Sequence, residues 1–321
     1  MPHQKASPLL VIVAFATVYI VWGSTYFFIQ MAIHGFPPML MGAFRYTLAG
    51  VLMLAWCGIN GDKVWVKKDI INSGISGILM LTAATGIVIW VEQTLPSAMV
   101  AIMVSIAPMW FVLLDTANWS VNFKSRETIF GLIIGFAGVL LLFGEQVTKT
   151  LSGTHSSSQL WNMVLLVFGP MAWVLGSLYS KNKTSSSPAR LNTAWQMVVA
   201  GLAFLPAGII HHEFNGFDIT SVPAQSWMAI VYLVLFGSIA AYTAYIWLLQ
   251  VRPSTQVSTH SYVNPVIAVL LGVLFAHEHI SWLQITGLFI ILLSVLLINL
   301  AKYRQANKQD DALKLKSTEV V

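Results

Sequence analysis

From Pro8 to Met31 the chain reads PLLVIVAFATVYIVWGSTYFFIQM, without one charged side chain. About 20 apolar residues in helical geometry cross the hydrocarbon core of a bilayer. A secretory leader has a shorter apolar core, about 7–15 residues, followed by a small-x-small cleavage site that is missing here. The run therefore reads as a retained spanning helix. Runs of the same kind follow at about 37–57, 70–93, 97–116, 128–143, 160–179, 191–210, 227–249, 254–276 and 282–301. The chain has 321 residues, of which 57% are hydrophobic and only 9% charged, whereas a soluble domain is about one quarter charged. An all-α membrane protein of ten transmembrane helices is expected.

The chain also repeats itself. WVEQTLPSAMVAIMVSIAP at 90–108 returns as WLLQVRPSTQVSTHSYVNP at 247–265, which pairs Trp90 with Trp247, Pro96 with Pro253 and Pro108 with Pro265. Further echoes are Gly23-Ser24 with Gly176-Ser177 and Ala49-Gly50 with Ala200-Gly201. Self-similarity at so long a period indicates a duplicated half. The expected organisation is a five-helix repeat over 1–144, a Ser/Thr/Gly-containing linker over 145–159, a second five-helix repeat over 160–301 and a charged tail over 302–321 that lacks the apolar residues to fold.

Ten spans place both termini on one side, and the basic residues choose the side. With the termini in the cytoplasm, the inside segments hold Lys5, Lys63, Lys67, Lys68, Lys124, Arg126, Lys181, Lys183, Arg190, Arg252 and the five basic residues of the tail. Lys149 alone is outside, and Arg45 lies within a span. This bias also accounts for the net charge of +5 without invoking nucleic acid. A half with an odd number of spans sends its copy into the membrane from the opposite side. Inverted repeats around a midplane site are the architecture of secondary transporters.

Several motifs then carry a resemblance: VWGSTYFFIQ at 21–30, FRYTLAG at 44–50, SIAPMWFVLL at 105–114, MAWVLGS at 171–177 and YVNPVIAVLLGVLFAHEH at 262–279. In their order and spacing the chain resembles the EamA family of the drug/metabolite transporter superfamily over nearly its whole length. The resemblance implies ten helices forming a basket around a central cavity, and export of amino acids or other small metabolites across the inner membrane. One departure is AHEH at 276–279, where His277 stands in place of the glycine that usually precedes the glutamate.

Polar and aromatic groups at membrane depth are the candidates for the substrate site, because such groups rarely face lipid. Ser238, Tyr242 and Tyr245 share one face of an ideal helix, and Gln256, His260 and Asn264 share another. Their counterparts in the first copy are Met99, Met103 and Ala107, which suggests a polar wall opposite adaptable methionines. Trp22 with Tyr26, and Trp173 with Ser177, are pairs four residues apart that supply flat apolar walls and can attract an ammonium group. Interhelical hydrogen bonding is the competing role for the polar set, and a place in the interfacial aromatic belt for the rings.

Arg45 is the one full charge well inside a span, about 12 Å below the outer interface when counted from Pro37. A buried guanidinium needs a partner, so a structural pair with Glu92 or Glu278, locking an outer gate, is expected ahead of a substrate carboxylate. Pro96, Pro108, Pro253 and Pro265 bracket two short half-helices and are candidate hinges.

No metal-ligand helix motif, nucleophile elbow or cofactor fingerprint occurs, so neither enzyme chemistry nor a cofactor is expected. His211-His212-Glu213 and His277-Glu278-His279 are outside runs that lack ligand spacing on a helix face. The expected partners are a small-molecule substrate and the lipid bilayer, with a proton on His260 as a candidate coupling ion. A facilitator or channel, or a divalent-metal transporter of the same fold, is the alternative; the rings of repeated polar residues that line channels are missing.

Overall fold

The computed structural model describes residues 7–116, 119–151, 157–183, 187–252, 257–294, 296–297 and 300. Pro253, Gln256 and the tail over 302–321 lie outside the described residues. Among the described residues the secondary structure is helical throughout. Seven helical stretches are long and apolar enough to cross a membrane: Pro8–Ile33 (α1), Pro38–Ile59 (α2), Lys67–Val91 (α3), Ser97–Leu114 (α4), Ser158–Asn182 within a helix that begins at Ser157 (α6), Ala189–Ile210 (α7) and Ala224–Val251 (α8). Between α4 and α6 runs Arg126–Leu151 (α5), and shorter apolar helices follow at His260–Phe275 (α9) and Trp282–Ser294 (α10).

The boundaries follow local chemistry. Proline stands in the first turn of α1, α2 and the second segment of α4, where its missing N–H needs no partner. The expected linker is partly helical. α5 runs through Gly144 to Leu151, because Glu145, Gln146 and Lys149 are good helix formers and no proline interrupts them. The ninth helix is expected from Ser254; Val257 is helical, a turn follows at Ser258-Thr259, and α9 runs from His260.

α3 and α8 are not uniformly α-helical. Ile78–Thr85 in α3 and Leu233–Tyr242 in α8 are wound with i→i+5 bonds, a geometry that clusters at functional sites. The two stretches occupy corresponding positions in the two copies of the sequence repeat.

Large apolar side chains point outward on many helices, among them Leu10, Leu52, Phe136, Phe236, Leu274 and Phe289. Helices that are apolar on the outside as well as at the core are those of a membrane span. Inside, α2 packs most extensively on α7, α1 on α9 and α8, α6 on α3 and α4, and α7 on α3. The α2–α7 crossing is close because glycine is used on both sides. A Cβ on Gly50 would stand 2.7 Å from the Val198 nitrogen and 2.9 Å from the Ala194 carbonyl, and one on Gly201 would run into Thr47.

Carboxylates finish several helix ends. Glu213, just past α7, accepts hydrogen bonds from the Met39 and Leu40 amides at the start of α2, at 3.2 and 2.9 Å. Glu278, past α9, does the same for α4: Oε1 accepts from the Ser97 amide (2.9 Å) and hydroxyl (2.6 Å), and Oε2 from the Ala98 amide (3.1 Å). The first amides of a helix have no intrahelical acceptor, and a carboxylate there also meets the positive end of the helix dipole. Each glutamate follows a histidine in the left-handed region, His212 at φ 55° and His277 at φ 52°. At the other end of the α2–α7 pair, Arg190 donates from Nε and Nη2 to the two oxygens of Asp62 at 2.7 and 2.8 Å. This fork holds the Asp62 carboxyl below its usual range.

Candidate substrate cavity

A cavity opens among α1, α2, α3, α4, α6, α8 and α9, so both copies of the repeat contribute walls. Its volume is about 100 Å³, room for a small solute. The wall is mostly apolar and aromatic. Trp22 and Tyr26 come from α1, Trp173 from α6, Tyr242 from α8, and His260 and Asn264 from α9.

Trp22 is the centre of a ring cluster. It stands edge-on to Trp173 (5.3 Å between centroids) and to His260 (5.3 Å), and tilts against Tyr245 at 4.9 Å. Its indole N–H donates to the Gly237 carbonyl at 3.2 Å. The Tyr245 hydroxyl receives the Trp173 indole N–H at 3.2 Å and shares a 3.1 Å hydrogen bond with the Ser177 hydroxyl. Buried aromatics with satisfied polar tips are rigid, so this wall is pre-formed. The Asn264 amide is satisfied when its nitrogen faces the carbonyls of His260 (3.1 Å) and Tyr19 (3.2 Å) and its oxygen accepts from His260 Nδ1 (3.3 Å). That arrangement fixes the tautomer and leaves Nε2 as the ring's acceptor.

Not every candidate reaches the cavity. Ser177 and Tyr245 lie behind the Trp22–Trp173 wall as its supports, and Ser238 is turned to Arg45. The face shared by Ser238, Tyr242 and Tyr245 presumes 3.6 residues per turn, and the i→i+5 winding of α8 spends one residue more. Met99 and Met103 are buried in the core rather than on the cavity wall, and Met99 Sδ accepts from Gln284 Nε2 at 3.4 Å. From α4 the wall is instead Ala101, Val104, Ser105 and Ala107.

The expected ion pair is corrected by the geometry. Arg45 is buried and lines the cavity, and its Nε donates to Ser238 Oγ at 2.9 Å while the guanidinium lies 4.8 Å from the centroid of the Tyr46 ring. Glu278 is engaged with the start of α4 instead. Glu92 is buried with both carboxyl oxygens lacking a hydrogen-bond partner; among the described residues it makes no ion pair with Arg45. Glu213 and Glu278 each cap a helix, and no group of three or more potential metal ligands occurs among the described residues.

The prolines act locally. Pro96 precedes α4 as its cap residue, and Pro108 opens the second segment of α4 after a break at Ser105-Ile106. Pro265 lies inside α9. Pro170, inside α6, did not stand out in the sequence. A proline within a helix withdraws the donor from the carbonyl four residues earlier. The carbonyls concerned are those of Leu166 and Ser261, and both residues line the cavity with their prolines.

Helices apolar on their outer surface around a solute-sized cavity define a multi-pass membrane protein. The sequence pattern of the EamA-like transporter family matches residues 9–144 and again residues 160–300. The chain is 32% identical over 292 residues to the uncharacterized inner membrane transporter YedA of Escherichia coli (strain K12), covering 90% of each protein. It is 22% identical over 287 residues to the uncharacterized transporter YoaV of Bacillus subtilis (strain 168), covering 88% of this chain and 94% of that one. A solved crystal structure shares the fold with a TM-score of 0.62 at 15% identity, over 92% of this chain and 98% of the other. The chain belongs to the EamA-like transporter family.

Proposed function

We propose that the protein is a secondary transporter that moves amino acids or similar small amphipathic metabolites outward across the inner membrane by alternating access. The observation that carries this reading is one solute-sized cavity walled by both copies of the repeat. Its lining of rings with a few polar groups suits a small organic solute better than a bare ion.

The two copies span the membrane in opposite directions, five helices each, with the first over 1–144 and the second over 160–301. Two further features support this. The packing pairs exchange with the copies: α1 on α9 answers α6 on α4, and α1 on α8 answers α6 on α3. The i→i+5 stretches of α3 and α8 are counterparts as well. Both termini are cytoplasmic, on the distribution of basic residues. The α3–α4 turn at Pro96, with Glu278 seated on it, governs the outer opening; the connection between α8 and α9 governs the inner one.

Counterflow with the purified protein in liposomes, against a panel of amino acids and uncharged metabolites, tests the reading. Exchange of one or more members supports it. A flat response across the panel, with protein that is monodisperse and inserted, refutes it.

A further inference from the structure

The guanidinium of Arg45 borders the cavity and is largely unspent. Arginine carries five N–H donors in a planar fork. Only the Nε hydrogen is used, on Ser238, and among the described residues neither Nη nitrogen makes a hydrogen bond. Ser238 and the Tyr46 ring hold the plane in place from two sides. A buried charge is tolerated when it is paired, and neither carboxylate expected as its partner is in contact with it. Glu278 is committed to α4, and Glu92 stands off. The side chain borders the cavity, and beside Nη2 the wall is Gly237, where a methyl group would stand 3.0 Å from that nitrogen. The glycine keeps that flank of the fork clear.

We infer that Arg45 is the docking group for the carboxylate of the transported molecule, which selects acids with a small apolar or aromatic body over their uncharged and cationic analogues. This deepens the transport reading above and rests on it. A carboxylate accepts from the two forward N–H groups of the fork, and the body of the molecule lies along the Trp22, Tyr26 and Trp173 rings. A zwitterionic amino acid and a simple carboxylic acid share this chemistry, and the probes below separate them.

The test measures thermal stabilisation of the full-length protein in detergent by L-phenylalanine, 3-phenylpropionate, L-phenylalaninamide and 2-phenylethylamine, together with the corresponding leucine series, and follows counterflow of the amino acids in liposomes. The acids are expected to bind roughly 10- to 100-fold more tightly than the amides, the range for a hydrogen bond to a charged group. If the amino acids bind and the deaminated acids do not, the ammonium group is read as well. Arg45→Gln is expected to erase the acid-over-amide ratio. Gly237→Ala, which keeps the charge and crowds the fork, is expected to reduce it, so the case does not depend on whether the Arg45 variant folds. Equal binding of acids and amides, or no binding of the acids, overturns the carboxylate site. Counterflow judges the transport reading separately: exchange with equal binding of acids and amides leaves that reading standing without the site.

Discussion

The Glu278 carboxylate seats itself on the first turn of α4, where Oε1 takes both the amide and the hydroxyl of Ser97, at 2.9 and 2.6 Å. One side chain thereby joins the loop after α9 to the helix that α9 echoes in sequence. Glu278→Ala is expected to lower stability by about 1–2 kcal/mol, the range for a lost cap with its dipole interaction. Ser97→Ala costs less, because the two amide contacts remain. Thermal unfolding of the two variants in one detergent checks the order, and equal losses contradict it.

His277 is held at φ 52°, where a side chain beyond glycine is strained. His277→Gly is therefore expected to be more stable than His277→Ala by about 1 kcal/mol. Unfolding midpoints of the pair decide it, and an alanine variant as stable as the glycine variant shows that the left-handed turn is not needed.

The α2–α7 crossing leaves no room for a side chain at Gly201. Gly201→Val is expected to cost about 1–3 kcal/mol from overpacking, read as a lower melting temperature and a lower yield of monodisperse protein. Gly144, inside α5 with nothing within 4 Å of an added Cβ, is the control, and Gly144→Ala is expected to lower neither, since alanine is the better helix former.

The Asp62–Arg190 fork predicts a direction with pH. Because the folded carboxyl titrates below its free value, its contribution is present above the unfolded value of about 3.9 and disappears as pH falls through the folded one. The melting-temperature gap between the parent and Asp62→Asn is expected to stay constant from about pH 5 to 8 and to close below about pH 4. A gap that grows on acidification contradicts the fork.

In a Cys57→Ala background, a cysteine in place of Asn215, between α7 and α8, is expected to react with an impermeant maleimide on intact cells. One in place of Lys63, between α2 and α3, reacts only after permeabilisation. The reverse pattern overturns the proposed orientation.

Seven of the spans were legible because length and apolarity alone set them, and prolines marked where several begin. Trp22, Tyr26, Trp173, Tyr242, His260 and Asn264 could be picked out as groups too polar or too aromatic to face lipid, and all six stand on the cavity wall. The partner of Arg45 was not legible, because it depends on where a loop some 230 residues away delivers Glu278, and that is set by the left-handed turn at His277. Nor was the i→i+5 winding of α3 and α8, since Leu, Ala and Ile support it no differently from an α-helix. Met99 and Met103 misled for that same class of reason: sequence repeats transfer a position along the helix, and the break at Ser105-Ile106 has no matching break at Pro265.

The α2–α7 pair is fastened three times over its length: by Glu213 at one end, by interlocking glycines in the middle and by Asp62–Arg190 at the other. The alternating access proposed above calls for something against which a change of shape can be measured, and this pair supplies the ruler. Spectroscopic labels placed one on α2 and one on α7 report a constant distance whatever is bound, so they calibrate every other distance in the same sample. Any helix whose separation from this pair varies with substrate identifies itself as a moving part.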